Sequence, residues 1–226
     1  MAIKIAFNHS SDTISLMKIR SDLKDFISTL PNKITLVAAS KYIDSSEMRK
    51  CFELGITNFG ENRVDAFLSK YQDLKDLDIK WHFIGHLQRN KAKEVINKID
   101  CLHSLDSLKL ADEIEKYRSS PLDVFIEVSI NLEENKNGVP YYELEPFIKS
   151  LLRYKKIHLI GLMMMTIKSS NDKENQFAKL VAIRNDIEKS LNIKIPYLSM
   201  GMSDDYLEAI KEGATHIRLG RILFIE

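Results

Sequence analysis

Residues 34–41 read Ile-Thr-Leu-Val-Ala-Ala-Ser-Lys, an apolar run that turns polar only at its last two positions. Its apolar part, 34–39, suits a strand by length and β-branched content. Seven further short apolar runs follow at 57–59, 81–84, 100–103, 123–130, 157–165, 197–200 and 215–219. Helical stripes separate them: Leu87, Val95, Ile96 and Ile99 form one, Leu144, Phe147, Ile148, Leu151 and Leu152 another, and Phe177, Leu180, Val181, Ile187 and Leu191 a third. These follow the spacing of half-buried helices. Asp44 and Glu47 resemble a capping box, and Gly55 and Gly213 stand where helices should stop. Eight strands alternating with helices predict an α/β protein built as a (β/α)8 TIM barrel. The alternative, an open doubly wound sheet, usually needs fewer strands.

Residues 12–30 carry Leu16, Ile19, Leu23, Phe26, Ile27 and Leu30 along one stripe. They predict a helix ahead of the first strand that covers the barrel where no eighth helix follows the last strand. The reading is a single domain over residues 1–226, with no linker, repeat or low-complexity tract. The 226-residue chain has a formal charge of +1, which implies no polyelectrolyte partner and hence no nucleic acid. No apolar run is long enough to span a bilayer, and the start lacks a signal core. Cys51 and Cys101 are isolated thiols without zinc-type neighbours, which fits a reducing compartment. The expectation is a cytoplasmic protein, and the few apolar surface cues favour a monomer.

Barrel active groups gather at the C-terminal ends of the strands. Alternation places Thr35, Val37, Ala39 and Lys41 on one face. If that face is the interior, desolvation favours a neutral Lys41 amine, which can attack an aldehyde. The bland reading is a lysine that snorkels out at a strand end. The stretch Tyr197-Leu-Ser-Met-Gly-Met-Ser-Asp-Asp205 runs from a strand through a glycine turn toward a helix, a layout that can bind phosphate. Ser203 there is also a good N-cap, and Asp204 and Asp205 would repel an anion, so a phosphate is expected nearer Ser199 and the Met200–Gly201 backbone. In Thr215-His-Ile-Arg-Leu-Gly-Arg221, Ile217 and Leu219 should face the helices, so Arg218 should point inward. A buried arginine needs an acceptor, with Glu127 as its expected partner. Gly220 permits close backbone approach to a ligand, and Arg221 adds charge. Asn62, straight after a strand, can orient a ligand ring. His82 and His86 lack the helical spacing of a zinc pair, so no metal is expected. An amine, a phosphate cradle and an inward arginine on separate strand ends together fit a phosphorylated aldehyde. A Schiff-base aldolase acting on a sugar phosphate fits the same groups.

The sequence also resembles the YggS-type pyridoxal phosphate homeostasis proteins, relatives of the alanine racemase barrel domain. The resemblance rests on AASK at 38–41, FGENRV at 59–64, Trp81 to Lys91, Glu133 with Lys136-Asn-Gly138, GLM at 161–163, LSMGMSDD at 198–205 and IRLG at 217–220. It implies a fold type III barrel with pyridoxal 5′-phosphate (PLP) held as an internal aldimine on Lys41. It also implies phosphate contacts from Ser199 and from backbone near Met200, Gly220 and Arg221, Asn62 close to the cofactor, and Arg218 facing the pyridine nitrogen. An obligate cation there discourages ring protonation and weakens the electron sink. Three features depart from the family: His86 where proline is common, Arg221 where threonine or serine is common, and the ending Phe224-Ile-Glu226.

The resemblance implies a role in intracellular PLP (vitamin B6) homeostasis with no dedicated reaction, so the protein is not expected to be an enzyme. Apo PLP-dependent enzymes are the expected recipients. Racemases of this fold carry an additional β-domain that supplies a tyrosine base, for which this chain is expected to have no room. A racemase-like enzyme is the alternative; it would need Lys136, Tyr141 or His103 as second base.

Overall fold

The computed structural model describes residues 18–130, 137–166 and 173–225. Its first elements are β1 (Lys18–Ile19) and α1 (Leu23–Thr29). The chain then alternates through β2 (Thr35–Ala39), α2 (Ser45–Glu53), β3 (Asn58–Glu61), α3 (Val64–Asp73), β4 (Lys80–Phe83), α4 (Arg89–Val95), β5 (Cys101–Leu105), α5 (Leu108–Tyr117) and β6 (Leu122–Ser129). It continues through a short β7 (Val139–Pro140), α6 (Leu144–Leu151), β8 (Ile157–Met163), α7 (Lys173–Leu191), β9 (Tyr197–Ser199), α8 (Tyr206–Lys211), β10 (His216–Leu219) and β11 (Phe224–Ile225).

Among the described residues, eight parallel strands run in the order β2-β3-β4-β5-β6-β8-β9-β10. The pairing of β10 with β2 and of β5 with β6 closes them into a barrel, which rules out the open sheet. Each of the eight expected runs contributes one of these strands. The Asp44 side chain accepts from Glu47 N–H at 2.9 Å and caps α2. Gly55 and Gly213 take positive φ after α2 and α8, as glycine allows at helix ends.

The expected helix over 12–30 needs correction. Residues 12–17 lie outside the described residues. Lys18 and Ile19 are extended, because they pair antiparallel with Ile225 and Phe224. A helix would hide the backbone groups that this two-stranded ribbon uses. Arg20 extends the tie, its N–H donating to Leu223 O at 3.1 Å and its guanidinium to Ile222 O at 3.1 Å. Among the described residues of that span, Leu23–Thr29 are helical; Leu23 is buried, and Phe26 meets the Tyr206 ring edge-on at 6.1 Å between centroids.

Strand alternation divides the core in two. Outward residues such as Phe59, Phe83, Val124, Ile126, Leu162 and Ile217 join the helices in one large apolar layer. The barrel interior holds a much smaller apolar cluster: Cys101, Phe125, Ile160 and Met163. The rest of the described interior is mostly polar, with His82, His103, Ser199, His216 and Arg218 beside Val37. Gly161 is a packing requirement, since an added Cβ would overlap the Phe125 ring and the Tyr197 carbonyl. Gly161→Ala should therefore lower stability by about 1–3 kcal/mol through overpacking. Chemical denaturation would measure it, and an unchanged midpoint would contradict this account of the interior.

Candidate functional site

The site is built at the strand ends. Strand β2 ends at Ala39, and Ser40 begins the turn that carries Lys41. Ser40 is fully buried; its hydroxyl donates to Glu61 Oε1 at 2.7 Å. Lys70, on α3, donates through Nζ to Ser40 O and to Glu61 Oε1, each at 2.6 Å. A buried ion pair thus fastens the turn from below. Removing one partner of such a pair strands a buried charge, at a cost of about 3–5 kcal/mol. Lys41 itself emerges exposed at the barrel mouth, with Nζ 4.6 Å from the Tyr42 ring centroid.

Lys41 lines a cavity of about 160 Å³ together with Ala39, Tyr42, Thr166, Met202, Ser203, Asp204, Asp205, Arg218, Gly220 and Arg221. The structure therefore brings together Lys41, Arg218, Gly220 and Arg221 from the sequence reading. Ser199 and Met200 do not line it. Asn62 lines a separate cleft with Arg63, His86 and Lys91, where its Oδ1 is buried without a hydrogen-bond partner among the described residues.

Ser203, read from sequence as a helix cap, does something else. Helix α8 begins later, at Tyr206, and the Ser203 hydroxyl accepts from the backbone N–H groups of Gly220 and Ile222, each at 3.3 Å. These bonds are longer than the usual N–H···O distance, so both donors can be surrendered to a stronger acceptor. Asp204 is ion-paired with Arg221. Asp205 is buried, accepting from Met202 N–H at 2.7 Å and from the Thr166 hydroxyl at 2.7 Å. Both acids are thus engaged, which weakens the repulsion expected toward an anion. An added Cβ on Gly220 would come no closer than 3.5 Å to Ala39 and would reach Tyr42 only at 4.0 Å. Packing tolerates a side chain there, but it would fill the cavity.

Arg218 points inward, as Ile217 and Leu219 packing on the outer layer requires. Its expected carboxylate partner is not what meets it. NH1 donates to Ser199 O at 2.8 Å and to Ser199 Oγ at 2.6 Å, and NH2 donates to Met164 O at 2.9 Å. Glu127 acts on it only through space, raising its pKa. The register explains this: Ser199 lies beside His216 on the neighbouring strand, two residues before Arg218. Burial pulls the guanidinium pKa down to about 10, which still leaves it charged at neutral pH. Among the described residues, three of its five N–H groups have these acceptors, and the other two are open to a ligand in the cavity.

Behind Arg218 the polar interior continues. The hydroxyl of Ser199 meets His103 Nδ1 at 2.8 Å, His103 Nε2 meets His82 Nδ1 at 2.9 Å, and His82 Nε2 meets Asn58 Oδ1 at 3.0 Å. Desolvation pushes His82 down to about 3, His216 down to about 4 and His103 well below the usual imidazole range. His82, Cys101 and His103 offer possible metal ligand atoms within 4.8 Å of one another, but the imidazole nitrogens are already engaged in the hydrogen-bonded run. His86 belongs elsewhere, paired with Asp106 at 3.0 Å. The cavity role of Ser203, as against a cap, and the Glu61–Lys70 support are not evident from sequence. Strand parity carries the signal for the interior histidines, since His82 pairs with Cys101 in register and His103 follows on the same face.

The fold and the site define a closed (β/α)8 barrel whose functional groups gather at the C-terminal ends of its strands. The family model described as "Alanine racemase, N-terminal domain" matches residues 14–226, and the chain belongs to that family. It is 41% identical over 200 residues to the pyridoxal phosphate homeostasis protein of Aquifex aeolicus, covering 86% of this chain and 88% of the relative. It is 33% identical to the protein of the same name from Escherichia coli, covering 86% of each chain. Among solved structures, PipY of Synechococcus elongatus with PLP bound matches with a TM-score of 0.83 and 30% identity, covering 89% of this chain and 97% of that one. Alanine racemase from Clostridium difficile shares the fold, with a TM-score of 0.73 and 14% identity, covering 92% of this chain and 58% of the racemase.

The buried imidazoles give a pH dependence with a definite sign. In the unfolded chain they take protons near pH 6.5. In the folded protein His82 and His216 do so only near 3 and 4. Between those values the unfolded state binds more protons, so stability falls as pH falls. Lowering pH from 6.5 to 5 should cost about 2 kcal/mol per buried imidazole. Urea unfolding at the two pH values measures this, and equal stabilities would mean that the imidazoles are not held neutral.

Proposed function

We propose that the protein binds PLP in the Lys41 cavity and serves intracellular PLP homeostasis in the cytoplasm, without a dedicated reaction of its own. The observation that carries this is convergence: Lys41, just past the end of β2, and Arg218 and Gly220, at the end of β10, line one cavity. PLP bound there would supply a reactive aldehyde on an electron-withdrawing ring.

The chain's own residues define what such a site does. Lys41 is the amine placed to hold the aldehyde end. The N–H groups of Gly220 and Ile222, now lent to Ser203 at 3.3 Å, are the donors for the phosphate, with Ser203 and Arg221 beside them. This moves the phosphate contact from Ser199 and Met200, which lie off the cavity, to the next turn of chain. Asn62 keeps a rim position on the adjacent strand end, where its unmatched Oδ1 suits a donor. The two remaining Arg218 N–H groups face the ring side. An arginine does not surrender its proton at neutral pH, so it holds a ring nitrogen as an acceptor and disfavours carbanion chemistry. Lys41 stands exposed, so cofactor held there is open to transfer to apo-enzymes. The homeostasis names of the 33–41% identical relatives support this role over racemisation.

Purified protein incubated with PLP should develop a visible absorption band, and Lys41→Ala should abolish it while leaving the far-ultraviolet circular dichroism unchanged. The loaded protein should restore activity to an apo PLP-dependent enzyme. A wild type that stays colourless, or robust Lys41-dependent exchange of the Cα proton of an amino acid, would overturn the proposal.

A further inference from the structure

We infer that Ser199, His103 and His82 are positioning residues that fix Arg218 through a one-directional chain of hydrogen bonds running through the barrel interior. The inference rests on the PLP reading for its consequence, and on geometry alone for its existence. The direction of every proton follows from the far end. Asn58 Nδ2 donates to Thr57 Oγ1 at 3.2 Å, leaving Oδ1 toward His82. A carbonyl oxygen only accepts, so His82 carries its proton on Nε2. A neutral His82 then accepts at Nδ1, so His103 must donate from Nε2. A neutral His103 accepts at Nδ1, so Ser199 must donate its hydroxyl proton there. With that proton committed, the Ser199 oxygen presents lone pairs to Arg218 NH1, which lies 2.6 Å away.

The chain has no spare orientation. His82, His103 and Ser199 are all buried, so a reversed member would face donor against donor in a low-dielectric interior. Protonating His103 would turn a second cation toward the serine that Arg218 holds; burial opposes it first, and the neighbouring His82, Arg218 and His216 oppose it as well. Other charged groups face the Arg218 end: Glu127 and Asp205 favour its cation, and Asp106 and His86 act on Glu127. The outcome is a guanidinium clamped along one edge by Ser199 and Met164. Its remaining N–H groups are thereby left for a ring nitrogen bound in the cavity that Arg218 lines. Ser199, read from sequence as a phosphate ligand, serves instead behind the arginine.

Two measurements test this. In the PLP-free protein, long-range nitrogen–proton NMR should find His82 and His103 as neutral Nε2–H tautomers at pH 7. Ser199→Ala should shift the His103 Nδ1 resonance, and Ser199→Thr, which keeps the hydroxyl, should restore it. In the PLP-loaded protein, Ser199→Ala should move the absorption maximum and the pH midpoint of the visible band. It should also weaken PLP binding about tenfold, the scale of one charge-assisted hydrogen bond. Ser199→Thr should reverse these changes. A wild-type His103 found protonated or as the Nδ1–H tautomer would overturn the chain, with no variant needed. A Ser199→Ala protein with unchanged spectrum and pH midpoint would overturn the positioning role. So would effects that Ser199→Thr fails to rescue, because they would reflect packing alone. A wild type that takes up no PLP defeats the functional reading, and with it the role toward the ring, while the NMR arm still decides whether the chain exists.

Discussion

A permanent cation inside a barrel is the constraint around which this protein is arranged. Arg218 is buried and cannot shed its charge as a lysine or histidine would. An unpaired buried charge is costly, so acceptors must come from the neighbouring strands. The barrel supplies two carbonyls and one hydroxyl rather than a directly bonded carboxylate. That choice has a consequence for the interior. The hydroxyl can serve the arginine only if its own proton goes elsewhere, and the imidazole of His103 takes it. The imidazole in turn needs an acceptor, which His82 provides, and Asn58 ends the run. A polar column therefore occupies space that apolar layers would otherwise fill, and Cys101, Phe125, Ile160 and Met163 form a small apolar cluster beside it.

Lys41 is handled in the opposite manner. It stands exposed at the mouth, and its surroundings control the turn that presents it rather than the amine itself. Ser40, Glu61 and Lys70 fix that turn from below, while Tyr42 lies beneath the ammonium. One cation is locked in the interior and the other is held by its backbone and left accessible. That division suits a protein that keeps a cofactor and gives it up. It also separates two requirements, since the ring-facing group must be rigid and the amine must be reachable.

Much of this was legible in the sequence because it follows from strand alternation. Ile217 and Leu219 bracket Arg218, so an inward arginine could be read directly, and the run at 34–41 placed Lys41 at a strand end. The helix expected over 12–30 was not legible. Its stripe holds for Leu23 and Phe26, but Lys18 and Ile19 pair with residues more than two hundred positions away, a contact that local periodicity cannot report. The two serines around Gly201 show a finer limit. Strand β9 runs only to Ser199, which keeps that side chain inside the barrel. Gly201 then turns the chain with φ +92°, and its missing Cβ makes room for Ala209. Ser203 thereby reaches the mouth in place of Ser199, and a one-dimensional pattern does not reveal which serine crosses the turn. Glu127 was the natural partner for Arg218 by charge, yet the register placed a nearer hydroxyl and carbonyl beside it.

Lys41, of all the lysines, is the one proposed to hold PLP in this cavity. Peptide mapping by mass spectrometry, after the PLP-loaded protein is reduced with borohydride, tests this. One pyridoxyl-phosphate adduct per chain is expected, on Lys41. An adduct spread over surface lysines, or fixed on Lys70 or Lys91 with Lys41 unmodified, would contradict it.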